Sequence, residues 1–226
     1  MKITYIHHSC YVAESEKAMI VFDYWEDPEG RLLQMLDHTR KEVYFLVSHF
    51  HEDHYNPVIL DFEGRHIVSY DTQKRRRIAP ERVTAVMRPD EDYHDDLLSI
   101  HAFKSTDVGL CYLVRADGET LFHAGDYNNW YFERGDEHLK VSAREMEGLY
   151  LSILKKIKAE APQIGHVMFP IDPRIEEHTL RGIRQFLNAI DTQNLYPMHT
   201  WGKDISPFLE ELRKDTDANI HWTDPA

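Results

Sequence analysis

Apolar and polar positions along the chain follow two rhythms. Short runs of β-branched and aromatic residues dominate the first half, and stretches with an apolar residue every three or four positions dominate the second. "KITYI" and "MIVFDYW" read as strands joined by a turn around Glu14–Lys17. "RLLQMLDHTRK" has helical spacing, "EVYFLVSHF" is an unbroken apolar run typical of a buried strand, and "HIVSYD" predicts another strand. "CYLVRADGETLFHAGD" predicts a hairpin, because Asp117-Gly118 between two apolar runs suits a primed two-residue turn. From about Glu137 to Glu160 the pattern predicts one amphipathic helix with Leu139, Met146, Leu149, Ile153, Leu154 and Ile157 on its apolar face. Pro162 helps to end it. Beyond it, "HVMFPI" reads as a strand, "EEHTLRGIRQFLNAI" as a helix and "NLYPMHT" as a strand. "SPFLEELRKD" reads as a helix with Ser206 at the N-cap and Pro207 at the first helical position, and "NIHWTD" as a closing strand. No linker rich in Gly, Ser or Pro divides the two halves, so residues 1–226 are expected to form a single α/β domain with layered sheets.

Composition narrows the partners. Apolar residues make up 42%, enough for a sizeable core in one domain of 226 residues. A formal charge of −13 disfavours nucleic acid and anionic membrane, because phosphate backbones demand dense Lys and Arg. The short basic run Lys74–Arg77 reads as a solvated face. Two cysteines, Cys10 and Cys111, in no metal-like spacing fit a reducing compartment. The N-terminus lacks the apolar stretch of a signal peptide, and no run is long enough to span a bilayer, so a cytoplasmic setting is expected. A homo-oligomer stays open: exposure of Leu149 and Ile153 would mark an interface. The number that changes the picture is 15 histidines.

They concentrate in "VSHFHEDHYNP", where His49, His51, Asp53 and His54 fall within six positions just after an apolar run. Crowded polar groups desolvate one another, and a metal ion makes such a cluster favourable. His49 and His51 alternate, so in extended chain their side chains point the same way and can bind one ion. Asp53 and His54 follow after a bend and can serve a second ion. Imidazole with carboxylate suits Zn²⁺, Fe²⁺ or Mn²⁺.

"HFHEDH" resembles the signature of the metallo-β-lactamase-fold hydrolase superfamily, and further segments fall in the order that resemblance expects. "VFDYW" looks like the early strand that ends in a buried aspartate, Asp23. "FHAGD" looks like the strand that ends in a metal-bridging aspartate, Asp126. "PMHTWG" looks like the late strand that carries the final histidine, His199. The resemblance implies a four-layer αββα sandwich with the site at one sheet edge. It implies one or two divalent ions, zinc first and manganese or iron as alternatives. His49 and His51 would hold one ion, Asp53, His54 and His199 the other, and Asp126 both. Asp23 is a candidate acceptor for an imidazole's outer N–H.

One ligand departs from the pattern. Relatives carry a third histidine for the first ion shortly before a glycine and the hairpin strand. Here "SIHAFKSTDVGLCYLV" puts Ser105, Thr106 or Asp107 there, and His101 and His94 lie further upstream. Asp107 is the best hard-ligand substitute and would favour oxygen-tolerant Mn²⁺ or Fe²⁺. The opening "YIHHSCYVAESEKAMIVFDYW" and the segment "MFPIDPR" are similar to relatives of ascorbate-6-phosphate lactonase. That resemblance implies a small-molecule substrate and puts His8, Asp172 and Arg174 at the mouth. The alternative for His8 is a capped loop histidine, and for Asp172 and Arg174 a turn with a surface ion pair. Trp130 and Trp201 would wall the pocket or else belong to the core. His123 reads as packing behind the ligands.

The expectation is a metal-dependent hydrolase in which a metal-bound hydroxide attacks an ester, lactone or phosphate-bearing small molecule, with Asp53 both ligand and catalytic proton acceptor. A nuclease or phosphodiesterase, or a non-catalytic metal-binding sensor, are the alternatives. No Gly-x-Ser-x-Gly elbow is present to supply a protein nucleophile.

Overall fold

A computed structural model describes residues 1–132 and 142–222. Two sheets face each other. The first runs in chain order: β1 Lys2–His7, β2 Cys10–Glu14, β3 Ala18–Phe22, β4 Glu42–Val47, β5 Arg65–Ser69 and β6 Ala85–Met87. Its first three strands are antiparallel and the rest join in parallel. The second contains β7 Asp92–His94, β8 Leu98–Lys104, β9 Leu110–Ala116, β10 Glu119–His123, β11 Gln163–Pro170, β12 Asp191–Met198 and β13 Asn219–Ile220. Its spatial order runs from β13 through to β7.

The apolar runs explain the layering. Along β3, Ala18, Ile20 and Phe22 enter the core shared with the second sheet, while Met19 and Val21 pack on the opposite face. Along β4, Tyr44 and Leu46 point inward and Val43, Phe45 and Val47 outward. Side chains alternate by strand geometry, so a continuous apolar run needs cover on both faces. Leu32 of helix α1 (Arg31–His38) supplies it on the outside of the first sheet. On the second sheet the cover comes from α3 (Ala143–Glu160), α4 (Arg181–Ala189) and α5 (Ser206–Leu212), through Ile153, Ile157, Ile183, Phe186 and Leu209. A short α2 (Tyr70–Arg75) follows β5. This is the expected four-layer αββα sandwich. Leu149 is partly buried and Ile153 is buried, so α3 presents its apolar face to its own sheet.

Several boundaries differ from the sequence pattern. β2 is a separate strand after the two-residue turn His8-Ser9, so β1 and β3 are not neighbours. Helix α3 starts at Ala143, where Ser142 and Glu145 form a reciprocal capping box. Residues 137–141 of the predicted helix, with Leu139, lie outside the described residues. Ser206 is the first residue of α5 rather than its cap, because Asp204 Oδ1 accepts the Ser206 amide at 2.8 Å. The helix expected from Glu176 is split into a 3-10 turn, Pro173–His178, and α4, because Glu176 sits at φ 56°. The hairpin turn is as expected: Asp117 and Gly118 have φ of 49° and 78°. Among the described residues no helix is long and apolar enough to cross a membrane.

Candidate metal centre

Parallel strands β3 and β4 pair Phe22 with Leu46, so the residues just beyond their ends, Asp23 and Ser48, meet. Asp23 Oδ1 accepts the Ser48 amide at 2.7 Å, and Oδ2 accepts the Ser48 hydroxyl at 2.6 Å and His54 Nδ1 at 2.7 Å. The Ser48 hydroxyl has one proton, which goes to Asp23. Its contact with His49 Nδ1 at 2.9 Å is therefore made as an acceptor. Asp172 Oδ2 accepts His199 Nδ1 at 3.0 Å in the same manner. The hydrogen-bond network thus assigns a proton to the outer nitrogen of His49, His54 and His199. Each inner Nε2 is left with a lone pair.

Those lone pairs converge on Asp126. Its Oδ2 lies 3.3 Å from His49 Nε2. Its Oδ1 lies 3.0 Å from His54 Nε2 and 3.3 Å from His199 Nε2. One carboxylate therefore faces two imidazole groups with different oxygens. The donor atoms form two sets around Asp126, and behind them Asp23 groups with His49 and His54 in a third, fully buried one. His49, His51 and Asp126 make the first, with His51 Nδ1 3.0 Å from His49 Nε2. His8, Asp53, His54 and His199 make the second, with Asp53 Oδ2 3.5 to 3.6 Å from His199 and His54 Nε2.

Whether a cation fits is decided by two buried atoms. His54 Nε2 and Asp126 Oδ1 face each other with no hydrogen-bond partner. Two lone pairs at 3.0 Å repel, and a buried unpaired polar atom is costly. Either a proton or a cation must lie between them. Burial works to lower the pKa of His54, yet Asp126 and Asp23 outweigh it and raise it well above the usual range. For His199, burial again opposes, but Asp126, Asp172 and Asp53 raise the pKa to about 9. Burial alone would raise the Asp126 carboxyl; the imidazoles of His54, His49 and His199 hold it far below its ordinary value. Such a site attracts positive charge strongly, and a divalent ion between His54 Nε2 and Asp126 Oδ1 would satisfy both atoms at once.

Close packing holds the ligand corner in place. Gly109, at φ +73°, approaches so closely that a Cβ would meet the Ser48 carbonyl at 2.3 Å and His49 Cβ at 2.4 Å. Buried His123 gives Nε2–H to the Ser9 carbonyl at 2.9 Å and accepts the Gly125 amide at 3.2 Å, which steadies the turn into Asp126. This agrees with its reading as packing behind the ligands.

The remaining predicted residues fall in three places. Asp107 lines a cavity of about 410 Å³ with His51, Asp53 and Asp126, but it is not in either converging donor set. Thr106 turns away, giving its hydroxyl to the Asn128 carbonyl at 2.7 Å, and Ser105 is buried. Asp172 is not at the mouth: its carboxylate is fully buried behind His199, held also by Arg174 Nε at 2.9 and 3.0 Å. His8 is also buried rather than at the mouth. Arg174 does reach the cavity, with its guanidinium 4.5 Å over the Trp201 ring. Trp130, Phe132 and Trp201 wall the same cavity. Ser48 went unnoticed in the sequence, although the adjacency of two strand ends is a signal that could have found it.

A metallo-β-lactamase fold with a carboxylate-bridged set of histidines is the class defined by these observations. The chain belongs to the beta-lactamase superfamily domain family, whose model matches residues 2–140, more than half of it. Among solved structures it is similar to Igni18, a metallo hydrolase from the archaeon Ignicoccus hospitalis, at 15% identity and a TM-score of 0.71 over 99% of this chain and 95% of that one. It is also similar to the metallo-beta-lactamase fold protein YhfI from Bacillus subtilis, at 12% identity and a TM-score of 0.61 over 95% and 88%. A third match is CmlA, a diiron beta-hydroxylase from Streptomyces venezuelae, at 14% identity and a TM-score of 0.66 over 96% of this chain and 52% of that one. At these identities the likeness is one of fold. Comparison with curated proteins gives no match.

Proposed function

We propose that the protein is a metal-dependent hydrolase of small molecules bearing an ester, lactone or phosphate group. The observation that carries this reading is Asp126, whose two oxygens face two separate sets of imidazoles. His49, His51 and Asp126 would hold one ion, and Asp53, His54, His199 and Asp126 a second. Zinc suits the nitrogen-rich donors best, with Mn²⁺ or Fe²⁺ as alternatives. A divalent ion bound there supplies Lewis acidity and lowers the pKa of water toward neutrality. The chain does the rest. Trp130, Phe132 and Trp201 give the cavity an apolar wall for the body of a substrate, and Arg174 offers a cation to an anionic part of it. Asp53 lines the cavity and would take up the proton released during hydrolysis; burial tends to raise its carboxyl pKa, but hydrogen bonds from His199 and His8 hold it far below the ordinary range until an ion takes their place. The cavity size fits a small molecule, and the charge of −13 disfavours nucleic acid.

A sensor reading draws on the first set, which has only two imidazoles among the described residues. The test strips the protein of metal and reconstitutes it with Zn²⁺, Mn²⁺ or Fe²⁺. It then measures turnover of nitrophenyl esters, lactones and a phosphodiester. Metal-dependent turnover that Asp126→Ala abolishes is the expected result. Tight metal binding with no turnover on any substrate would favour the sensor.

A further inference from the structure

We propose that His8 is a direct ligand of the second ion, giving that position three imidazoles together with Asp53 and Asp126. The inference rests on the reading of the site as a metal centre, and extends it with a residue outside the motif. His8 occupies the two-residue turn between β1 and β2 with φ 51°, a conformation that non-glycine residues enter only under constraint. The constraint comes partly from the far end of the chain, where the His199 amide donates to the His8 carbonyl at 3.2 Å. The turn is thereby tied to the strand end that delivers another ligand.

The surroundings leave the His8 ring little choice. It is buried, with Trp25, Trp201 and His199 at centroid distances of 5.4, 4.7 and 4.5 Å. The edge carrying Nε2 faces Asp53 Oδ2 at 3.2 Å. A ring nitrogen of His8 also falls within 4.8 Å of a ring nitrogen of each of His54 and His199. Donors bound at ~2.0–2.2 Å to one cation lie about 2.8–3.6 Å apart at tetrahedral or right angles. The separations here run from 3.0 to 3.6 Å for His54–Asp126, His8–Asp53, His199–Asp126, His199–Asp53 and His54–Asp53. His8 enters these through its 3.2 Å approach to Asp53, and a histidine that only held Asp53 in place would not need to lie among the rings of His54 and His199, at centroid distances of 5.8 and 4.5 Å. It would also leave three rings crowding one small volume with no common purpose.

The test uses the full chain and Zn²⁺ as the probe. Crystals grown with Zn²⁺ should show His8 Nε2 about 2.0–2.1 Å from the ion that His54 and His199 bind. In solution, His8→Ala should weaken the binding of one Zn²⁺ at least about tenfold while the other stays in place. His8→Gln retains a donor for Asp53 but is a poor zinc ligand, so it should not restore affinity. Zinc bound by His54 and His199 with His8 turned away, or full affinity in His8→Gln, would overturn the assignment and leave His8 as a residue that positions Asp53. A chain that binds no zinc at either position would overturn the metal reading itself, and the role of His8 with it.

Discussion

The two halves of the proposed metal centre share Asp126 and differ in almost everything else. In the half built on His54 and His199, both rings are buried, and each outer nitrogen meets a buried carboxylate directly, Asp23 at 2.7 Å and Asp172 at 3.0 Å. In the other half, His49 reaches Asp23 only through the Ser48 hydroxyl, and His51 is half-buried on the cavity wall. Outer partners fix a ring's tautomer and orientation and raise its basicity. The first of these halves is therefore ready to bind before any ion arrives, and the second must still order a side chain, at an entropic cost. If both halves of the proposed centre bind, unequal support predicts unequal affinity, with one firm ion beside a looser one.

The shared carboxylate should give the largest effect. Asp126→Ala removes a donor from both halves and leaves their imidazoles to repel one another, so metal content measured by plasma emission should fall close to zero. Retention of a full equivalent would show that one half stands without the bridge. The two outer carboxylates should then separate the halves. Asp172→Asn should weaken one ion about 10–100-fold and spare the other. Asp23→Asn should weaken both, because Asp23 orients His54 directly and His49 through Ser48. It should also cost about 3 kcal/mol of folding stability in urea, since three hydrogen-bond donors lose a buried anionic acceptor. Equal effects of the two variants on the two ions would erase the contrast.

How much of this was legible depended on distance along the chain. His49, His51, Asp53 and His54 are close in sequence, and the apolar run before them marks the strand that delivers them. Asp23, Asp126 and His199 were placed by resemblance, at ends of strands that the apolar pattern also marks. The pattern missed what depends on three-dimensional neighbours. His8 and Asp172 were put at the rim by resemblance, and neither sits in an apolar run that would have marked it as buried. Here the β1–β2 turn folds over the site, and Asp172 sits under His199, buried by residues 27 positions away. β2 was hidden because only two residues separate it from β1, and the three-residue strands β6 and β7 are too short to show a period. The split before α4 depends on the backbone of Glu176, which no residue type announces.

A smaller effect should come from Asp107, which lies on the cavity wall beside His51. If it supplies the weaker half with the donor that a third histidine gives in relatives, Asp107→Ala should lower occupancy of that half several-fold and leave the firm ion untouched. Asp107→His should tighten Zn²⁺ there. Unchanged stoichiometry in Asp107→Ala would mean that the looser half completes its coordination some other way, and would sharpen the contrast between the halves.

The smallest effect should come from the brace behind the bridge. Asn129, three residues after Asp126, gives its side-chain amide to Gln185 at 2.8 Å, and Glu147 of α3 accepts from Gln185 at 2.7 Å and from Arg181 at 2.9 Å. Burial tends to raise the Glu147 carboxyl pKa, but these bonds from Gln185 and Arg181 prevail and lower it. A carboxylate whose folded pKa is depressed stabilises the fold above its unfolded pKa and loses that contribution as pH falls through the folded value. The stabilisation is therefore complete at neutral pH and fades on acidification below about 4.5. Glu147→Gln should cost about 1 kcal/mol at pH 7 in the metal-free chain, and the gap to the parent should close as the pH is lowered through that range. Because the brace holds Asn129, three residues along the chain from Asp126, which both halves use, the variant should weaken both ions slightly and by the same factor. A change confined to one ion would mean that the bridge is not held from this side, and that the two halves differ further back in the structure than their own ligands.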